Sequence, residues 1–265
     1  MIYILLPAYN EEASIPDLIG NLELVLRDYG QEYQIVVCND GSKDRTREML
    51  EEYRETLPIH VINHPINRGL GETARDMFEY TVWNCQPDDI IIRMDCDITH
   101  EPKYIPDLVA KLDEGFDVVI ASRFQPGGDQ KGVNAYRGLI SRCANIFMKV
   151  FFPVKNVKEY SCGYRAYRAQ VMKTAIDYYG NNFIQLRGLG FTCTLEKLIK
   201  LSLIGARFAE VPFVLRYDKK VSQSKMVSSI TTLGYMTMAV MYHWPWGGWR
   251  RTVRRGFKVY EQNRK

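Results

Sequence analysis

No run of about twenty uncharged apolar residues occurs in the chain, so a membrane-spanning helix is not expected. The nearest approach, "MVSSITTLGYMTMAVMYHWPW" at residues 226–246, is polar at its start and abuts an arginine cluster. A secretory leader is not expected either, because "MIYILLPAYNEE" lacks a basic n-region and Pro7 breaks its apolar run. The six cysteines, Cys38, Cys85, Cys96, Cys143, Cys162 and Cys193, are scattered singly with no CxxC pair. That pattern points to free thiols in a reducing cytosol rather than a disulfide framework or a zinc site. Neither GxxxxGK[ST] nor GxGxxG follows an apolar run, which argues against an ATPase or a dinucleotide enzyme. A net charge of +4 is too mild to imply a nucleic-acid partner. Internal repeats and low-complexity linkers are missing as well, so one domain with a C-terminal extension is the economical organisation.

What is present is an ordinary globular composition, 46% hydrophobic and 25% charged over 265 residues, enough to bury a sizeable core. Apolar runs alternate with amphipathic segments through the first half, the signature of βαβ units and a mostly parallel sheet. "IYILLP", "QIVVCND", "PIHVINH", "DIIIRMDCD" and "DVVIASR" read as strands. "SIPDLIGNLELVLRDYG" reads as a helix with Ser14 as N-cap and Gly30 closing it. "DRTREMLEEYRETL", "GETARDMFEYTVWN" and "KYIPDLVAKLDEG" complete the helical set. Further on, "NAYRGLISRCANIFMKVFF", "QVMKTAIDYYG" and "TCTLEKLIKLSLIG" read as helices, "CGYRAYR" as a short strand or turn, and "ARFAEVPFVLRY" as one strand. Loops carrying chemistry, "PAYNEE", "NDGSKD", "NRGLGE", "DCDITH" and "SRFQPGG", follow the strands or open the helices between them. In open α/β sheets, ligands bind in the crevice outside the carboxyl ends of the strands.

Asp95 and Asp97 stand two apart at the end of an apolar strand, where an extended backbone turns both carboxylates to one side. Two close carboxylates are costly unless a cation lies between them, and Mg²⁺ or Mn²⁺, completed by substrate phosphates, is the natural solution. Cys96 points the other way and is expected to pack. Asp40, where a strand ends, could accept hydrogen bonds from a base or ribose. His100 reads as a loop histidine rather than a metal contact. His60, His64 and His243 show no ligand spacing, and Tyr178 and Tyr179 read as packing residues.

The ordered set "PAYNEE", "VVCNDGSKDRT", "NRGLGETAR", "MDCDITHEP" and "DVVIASRF" resembles an inverting family-two glycosyltransferase with a GT-A fold, an α/β architecture with a mostly parallel central sheet flanked by helices. Downstream, "CGYRAYR" and "EVPFVLRYDKKVSQSKM" are similar to the polyprenyl-phosphate sugar synthases, the dolichyl-phosphate mannose synthase-like group. The resemblance implies a transferase domain over residues 1–225, with 226–265 as an amphipathic, aromatic and basic extension. It implies that Pro7, Tyr9, Glu11 and Asp40 hold a nucleotide, and that Asp95 and Asp97 bind the metal bridging its diphosphate. Cys96 is grouped with the nucleotide-binding positions through its place in the motif. Arg123 would face the phosphates. Arg165 and Lys225 would lie near the acceptor phosphate or the donor diphosphate, so Asp97, Arg123 and Arg165 are the expected catalytic set. Two departures stand out. Thr99 replaces the glutamine that often serves as third metal ligand, and the arginine expected before the "SK" pair has its counterpart in Arg216 or Lys219.

A lipid phosphate is already ionised near neutral pH and needs cations rather than a base, and this chain is rich in Arg and Lys and poor in a base. The expected reaction is therefore transfer from a nucleotide-sugar, GDP-mannose or a UDP-hexose, to a polyprenyl or dolichyl phosphate. The competing expectations are transfer to a sugar or glycan hydroxyl with Glu196 or another acid as base, a non-catalytic nucleotide-sugar-binding protein, and a nucleotidyltransferase. The tail "WRRTVRRGFKVYEQNRK" places seven cations against one acid. Tyr235, Tyr242, Trp244, Trp246 and Trp249 beside Arg250, Arg251, Arg254 and Arg255 suit a headgroup zone. The expected location is cytoplasmic, peripheral on the cytoplasmic face of a membrane, working alone or with a separate membrane partner.

Overall fold

The apolar runs form strands buried on both faces, as parallel sheets covered by helices require. A computed structural model describes residues 1–221, 228–244 and 247–264; Lys225 and Trp246 lie outside the described residues. Seven strands form the main sheet: β1 (Ile2–Ala8), β2 (Tyr33–Asn39), β3 (Ile59–Asn63), β4 (Ile90–Arg93), β5 (Val118–Ser122), β7 (Arg165–Arg168) and β8 (Phe208–Pro212). Their order is β3-β2-β1-β4-β7-β5-β8. All pair in parallel except β7, which runs antiparallel to both β4 and β5. In the register Leu5 stands opposite Val36 and Arg93. Two short strands, β6 (Asp129–Lys131) and β9 (Val214–Arg216), pair separately beside this sheet.

Alternation along β1 sends Ile2, Ile4 and Leu6 into one core and Tyr3 and Leu5 into another. The first core is covered by α1 (Ile15–Tyr29), α2 (Thr46–Arg54) and α4 (Ile105–Asp113). The second is covered by α3 (Leu70–Asn84), α6 (Ala169–Tyr179) and α7 (Thr192–Leu203), with α5 (Ala135–Phe151) contributing Met148. Truncating a fully buried side chain such as Leu5 to alanine would cost about 2–5 kcal/mol.

Gly30 ends α1 in the left-handed conformation, as expected, with its N–H on the carbonyls of Leu26 and Arg27. Ser14 occupies the N-cap position but makes no side-chain cap; its hydroxyl donates instead to Glu11 Oε2 at 3.1 Å. "DIIIRMDCD" is shorter as a strand than expected. The strand stops at Arg93, and the chain turns through Ile98 at φ 54°. "ARFAEVPFVLRY" is two strands rather than one, because the chain changes partner at Phe213. The Phe213 N–H still donates to Ser122 of the main sheet, while its carbonyl accepts from Asp129 of β6.

The C-terminal region forms α8 (Ser228–His243) and α9 (Gly248–Arg264), which pack into the second core through Met238, Tyr242, Val253 and Phe257. Of the aromatics expected at a membrane surface, Tyr235 and Tyr242 are buried and Trp249 lies against Tyr242 and Tyr179. Trp244 faces outward. Among the described residues, no helix is long and apolar enough to cross a membrane.

Candidate functional site

The loops after β1, β2, β4 and β5 leave one edge of the sheet together, where parallel strands offer their carboxyl ends. The first two loops are laced to each other. Asn10 N–H donates to Ser42 Oγ and Lys43 N–H to Asn10 Oδ1, at 2.9 and 2.8 Å. Glu11 N–H donates to Thr46 Oγ1 at 2.9 Å and Arg45 N–H to Glu12 Oε2 at 2.9 Å. Gly41 has φ +68°, and a Cβ there would overlap the backbone of Ile66 and Asn67. Only glycine lets the "NDGS" and "NRG" loops touch.

Pro7 and Tyr9 are half-buried at the end of β1, and Glu11 is buried just beyond. Asp40 is buried as well, and its carboxylate is engaged within the protein. It accepts from the N–H groups of Arg68 and Gly69, each at 2.8 Å, and faces His64 Nδ1 at 2.7 Å. His64 Nε2 faces Asp76 Oδ2 at 3.0 Å. Asp40 thus shapes the glycine-containing loop, with acceptor capacity left for a further donor. His64 lacked any ligand spacing in sequence; its partners come from a strand end and a helix that only folding brings together.

Asp95 and Asp97 fall in the turn after β4, so loop geometry and not strand alternation sets the direction of each. Asp95 Oδ1 pairs with Arg93 Nη2 at 2.6 Å. Arg93 is buried, and its guanidinium lies where a Cβ on Gly163 would be. Burial alone would raise the Asp95 pKa, but the charges of Arg93 and then Lys220 outweigh it and hold the carboxyl below its ordinary range. Asp97 Oδ1 accepts from the Thr99 hydroxyl at 2.6 Å, and its Oδ2 pairs with Lys220. Thr99, the departure noted in sequence, thus orients the second acid. Burial disfavours the Lys220 ammonium, yet Asp97, Asp95 and Glu11 outweigh that and raise its pKa above the ordinary lysine value. Cys96 is buried, as expected of a packed residue.

His100 Nδ1 accepts from the Asp95 N–H at 2.9 Å, which leaves the ring proton on Nε2, 3.6 Å from Asp95 Oδ2. Burial lowers the His100 pKa, so the ring is neutral and its Nε2 is a donor rather than a metal ligand. Among the described residues no three His, Cys, Asp or Glu side chains form a metal cage. Each carboxylate has its own cation, Arg93 on Asp95 and Lys220 on Asp97. Such a pair of acids suits a hard divalent ion held by two protein oxygens and completed by substrate phosphates and water.

Of the expected phosphate-facing cations, Arg123 is locked in place. Its Nε and Nη2 donate to Glu159 at 2.7 and 2.9 Å, and Nη2 also to Ser161 Oγ at 2.8 Å. Glu159 is fully buried; burial would raise its pKa, but the Arg123 pair lowers it, so the acid stays ionised. Arg165 requires a correction. It is 1% exposed, and its three nitrogens donate to the carbonyls of Cys162, Thr194 and Tyr160 at 2.8–2.9 Å. A buried guanidinium with three of its five N–H groups on buried carbonyls pins β7 to α7. Arg216 pairs with Asp218 and Lys219 with Glu101, at 2.8 and 2.9 Å. The Arg216 N–H also donates to the Thr99 carbonyl at 3.1 Å, laying this segment over the acid turn. Among the described residues of this segment, Lys220, one place beyond the weighed candidates, is the cation that pairs with Asp97.

Glu196, the expected base of the hydroxyl-acceptor alternative, accepts from Gln185 N–H and Leu186 N–H at 2.9 and 3.1 Å and pairs with Lys200 at 2.5 Å. Tyr178 and Tyr179 donate to the carbonyls of Val253 and Lys200, packing residues as expected. His60 stacks on Tyr80, and His243 Nε2 lies 2.7 Å from the Phe151 carbonyl.

Residues 3–176 match the family described as Glycosyl transferase family 2. Dolichol-phosphate mannosyltransferase of Pyrococcus furiosus is 30% identical over 211 residues, 79% of this chain and 55% of its own length. Undecaprenyl-phosphate mannosyltransferase of Micrococcus luteus is 29% identical over 228 residues, 85% of this chain and 87% of its own. The chain thus spans about half of the first relative's length and most of the second's. Among solved structures, glucosyl-3-phosphoglycerate synthase of Mycobacterium tuberculosis, in complex with Mn²⁺, UDP and glucosyl-3-phosphoglycerate, superimposes with a TM-score of 0.58. It shares 18% identity and covers 91% of this chain and 78% of its own. At that identity the likeness shows the fold, GT-A.

Proposed function

We propose, from the premise that this chain belongs to glycosyl transferase family 2, that it moves a sugar from a nucleoside-diphosphate sugar to a polyprenyl or dolichyl phosphate with inversion at the anomeric carbon. The donor is GDP-mannose or a UDP-hexose. Pro7, Tyr9 and Glu11 line the nucleotide end of the cleft, with Asp40 acting through the loop it holds. Asp95 and Asp97 would hold Mg²⁺ or Mn²⁺. When bound, the ion stabilises the charge that develops on the leaving diphosphate.

The chain's own groups do the rest. Arg93 keeps Asp95 ionised, Thr99 orients Asp97, and Lys220 supplies a positive charge beside both. Beside Asp97, the Lys220 ammonium would be placed to meet a phosphate oxygen of donor or acceptor. Arg216 and Lys219 hold the overlying segment to Glu101 and Thr99, keeping Lys220 in range. Arg123 is anchored on Glu159 through Nε and Nη2 and orders the loop after β5, with Nη1 directed to Gln130.

One observation carries the choice of acceptor: the Glu196 carboxylate is consumed by Lys200 and two backbone N–H groups. A hydroxyl acceptor needs a base to take its proton, whereas a phosphate needs only cations. The names of the relatives support the same acceptor. A lipid acceptor places the protein peripherally at a bilayer, on the face where nucleotide-sugars are made, alone or with a separate membrane partner.

The test is transfer from radiolabelled GDP-mannose and UDP-hexoses, with Mn²⁺, to a short-chain polyprenyl phosphate in detergent, following lipid product and released nucleotide. Lipid product with a nucleoside diphosphate is the expected result. Glycosylation of free sugars alone, release of pyrophosphate, or donor binding without turnover would each replace the proposal by one of its rivals.

A further inference from the structure

The C-terminal hairpin holds a second concentration of charge, separate from the acid turn. Arg250, Arg251, Arg254, Arg255 and Lys258 recur on α9 at spacings of one, three and four residues, which gathers them on one side of the helix. Val253 and Phe257 occupy the opposite side and are buried in the core. The cationic side opens on a cavity of about 710 Å³ between α9 and the end of α8. Its lining among the described residues includes all five cations and no acid. Like charges at i and i+4 repel along a helix, so the arrangement is stabilised by an anion.

The surroundings indicate where such an anion comes from. The ends of α5 and α8 meet at the His243–Phe151 contact. Beside it, Val240 and Trp244 on α8 are 60% and 74% exposed, and Ile146 and Val150 on α5 are 62% and 70% exposed. An outward apolar stripe next to a cationic cleft matches the acyl boundary and headgroup layer of a bilayer.

We propose that the cleft between α8 and α9 binds phosphate headgroups of anionic lipids while the α5–α8 stripe enters the acyl boundary. The site is distinct from the transfer cleft. It shares with the proposed function only the premise that the protein works at a bilayer.

The experiment is flotation of the full chain with vesicles of phosphatidylcholine alone and of phosphatidylcholine mixed with phosphatidylglycerol. Binding is expected only to the mixed vesicles, and to weaken with salt. Replacing Arg251, Arg254 and Arg255 by glutamine is expected to weaken that binding on the order of a hundredfold, given the contribution of each cation near an anionic surface. Replacing Arg27, Arg47 and Arg54, the same number of charges elsewhere, is expected to change it less than threefold. Val150→Asp is expected to reduce binding to the mixed vesicles as well. Matching thermal unfolding, and unchanged transfer to short-chain acceptor in detergent, show that the cleft variant is folded and separate this site from the transfer site. Equal losses from both triple variants would overturn the proposal, as would undiminished binding by the cleft variant. Self-association of the free protein that the cleft variant abolishes, without vesicle binding, would assign the face to a second copy of the chain instead.

Discussion

Lys220 stands where the two acids would receive a divalent ion, so in the donor-free protein metal and ammonium compete for Asp97. Lys220→Gln keeps most of the side-chain length and removes the charge. The Lys220 and Asp97 side chains are 10% and 13% exposed, so solvent screens the pair only weakly. A charge-assisted hydrogen bond in such surroundings contributes about 1.5–3 kcal/mol. An ion that must first displace it binds more weakly by the corresponding factor, about 10- to 150-fold. Coupling between two ligands of one site is reciprocal, so removing the ammonium returns that factor to the ion. Donor-free Lys220→Gln should therefore bind Mn²⁺ at least about tenfold more tightly, read by calorimetry or by the electron paramagnetic resonance of free Mn²⁺. With donor present the sign reverses, because the freed ammonium is then a phosphate ligand; kcat should fall although the metal is held better. Asp97→Asn serves as the control and should lose Mn²⁺ affinity in both states. An Mn²⁺ affinity that is unchanged or weaker in Lys220→Gln would refute the competition.

Arg165→Met should lower stability by about 3 kcal/mol or more in urea unfolding, since three buried carbonyls lose their donor, and leave the acceptor KM of the folded fraction unchanged. A raised KM at constant stability would restore Arg165 to the substrate site. Burial pushes Lys197 down to about 8. The unfolded chain, with an ordinary lysine value, binds the extra proton between that pH and about 10.5, so stability rises with pH across this window. Lys197→Met should accordingly stabilise the protein by up to about 3 kcal/mol at pH 7, the gain shrinking toward pH 10. A gain independent of pH would show that packing, not charge, is responsible. Asp95, held below its ordinary range, contributes stability that is complete above the unfolded carboxyl value and lost as pH falls through the folded one. In Arg93→Met the burial effect would dominate, raising the Asp95 pKa, and Mn²⁺ affinity measured from pH 5 to 8 should become steeply pH-dependent.

The strands and helices of the first half were legible because each is a single apolar run or one amphipathic face, set largely by local pattern. β7 was harder to read. "RAYR" carries two arginines within four residues, and only the staple from Arg165 to α7 makes a central strand of it. The acid pair was recognisable from spacing, but the reason for its convergence was not, since the turn depends on the His100 ring and on Arg93 passing over Gly163. Lys220 arrives from more than a hundred residues away. In sequence it was indistinguishable from Lys219, and the one-residue choice is made by the pairing of β9 with β6. The tail aromatics misled because amphipathic order alone does not say which face meets the core; Tyr242 and Trp249 turned inward, and the outward stripe lay partly on α5.

The placement of β7 also bears on how the chain is made. Residues 165–168 fill the gap between β4 and β5, so the growing polypeptide leaves both strand edges that border this gap unpaired from the completion of β5 at Ser122 until β7 emerges. At translation rates of ~5–20 residues per second that interval is roughly two to nine seconds. Throughout it the apolar face of α5 is also newly synthesised, and unpaired edges recruit other chains. Fragments ending before Arg165 should therefore collect in inclusion bodies, while those reaching past β8 remain dispersed, making this interval the period in which a nascent-chain chaperone has most to protect.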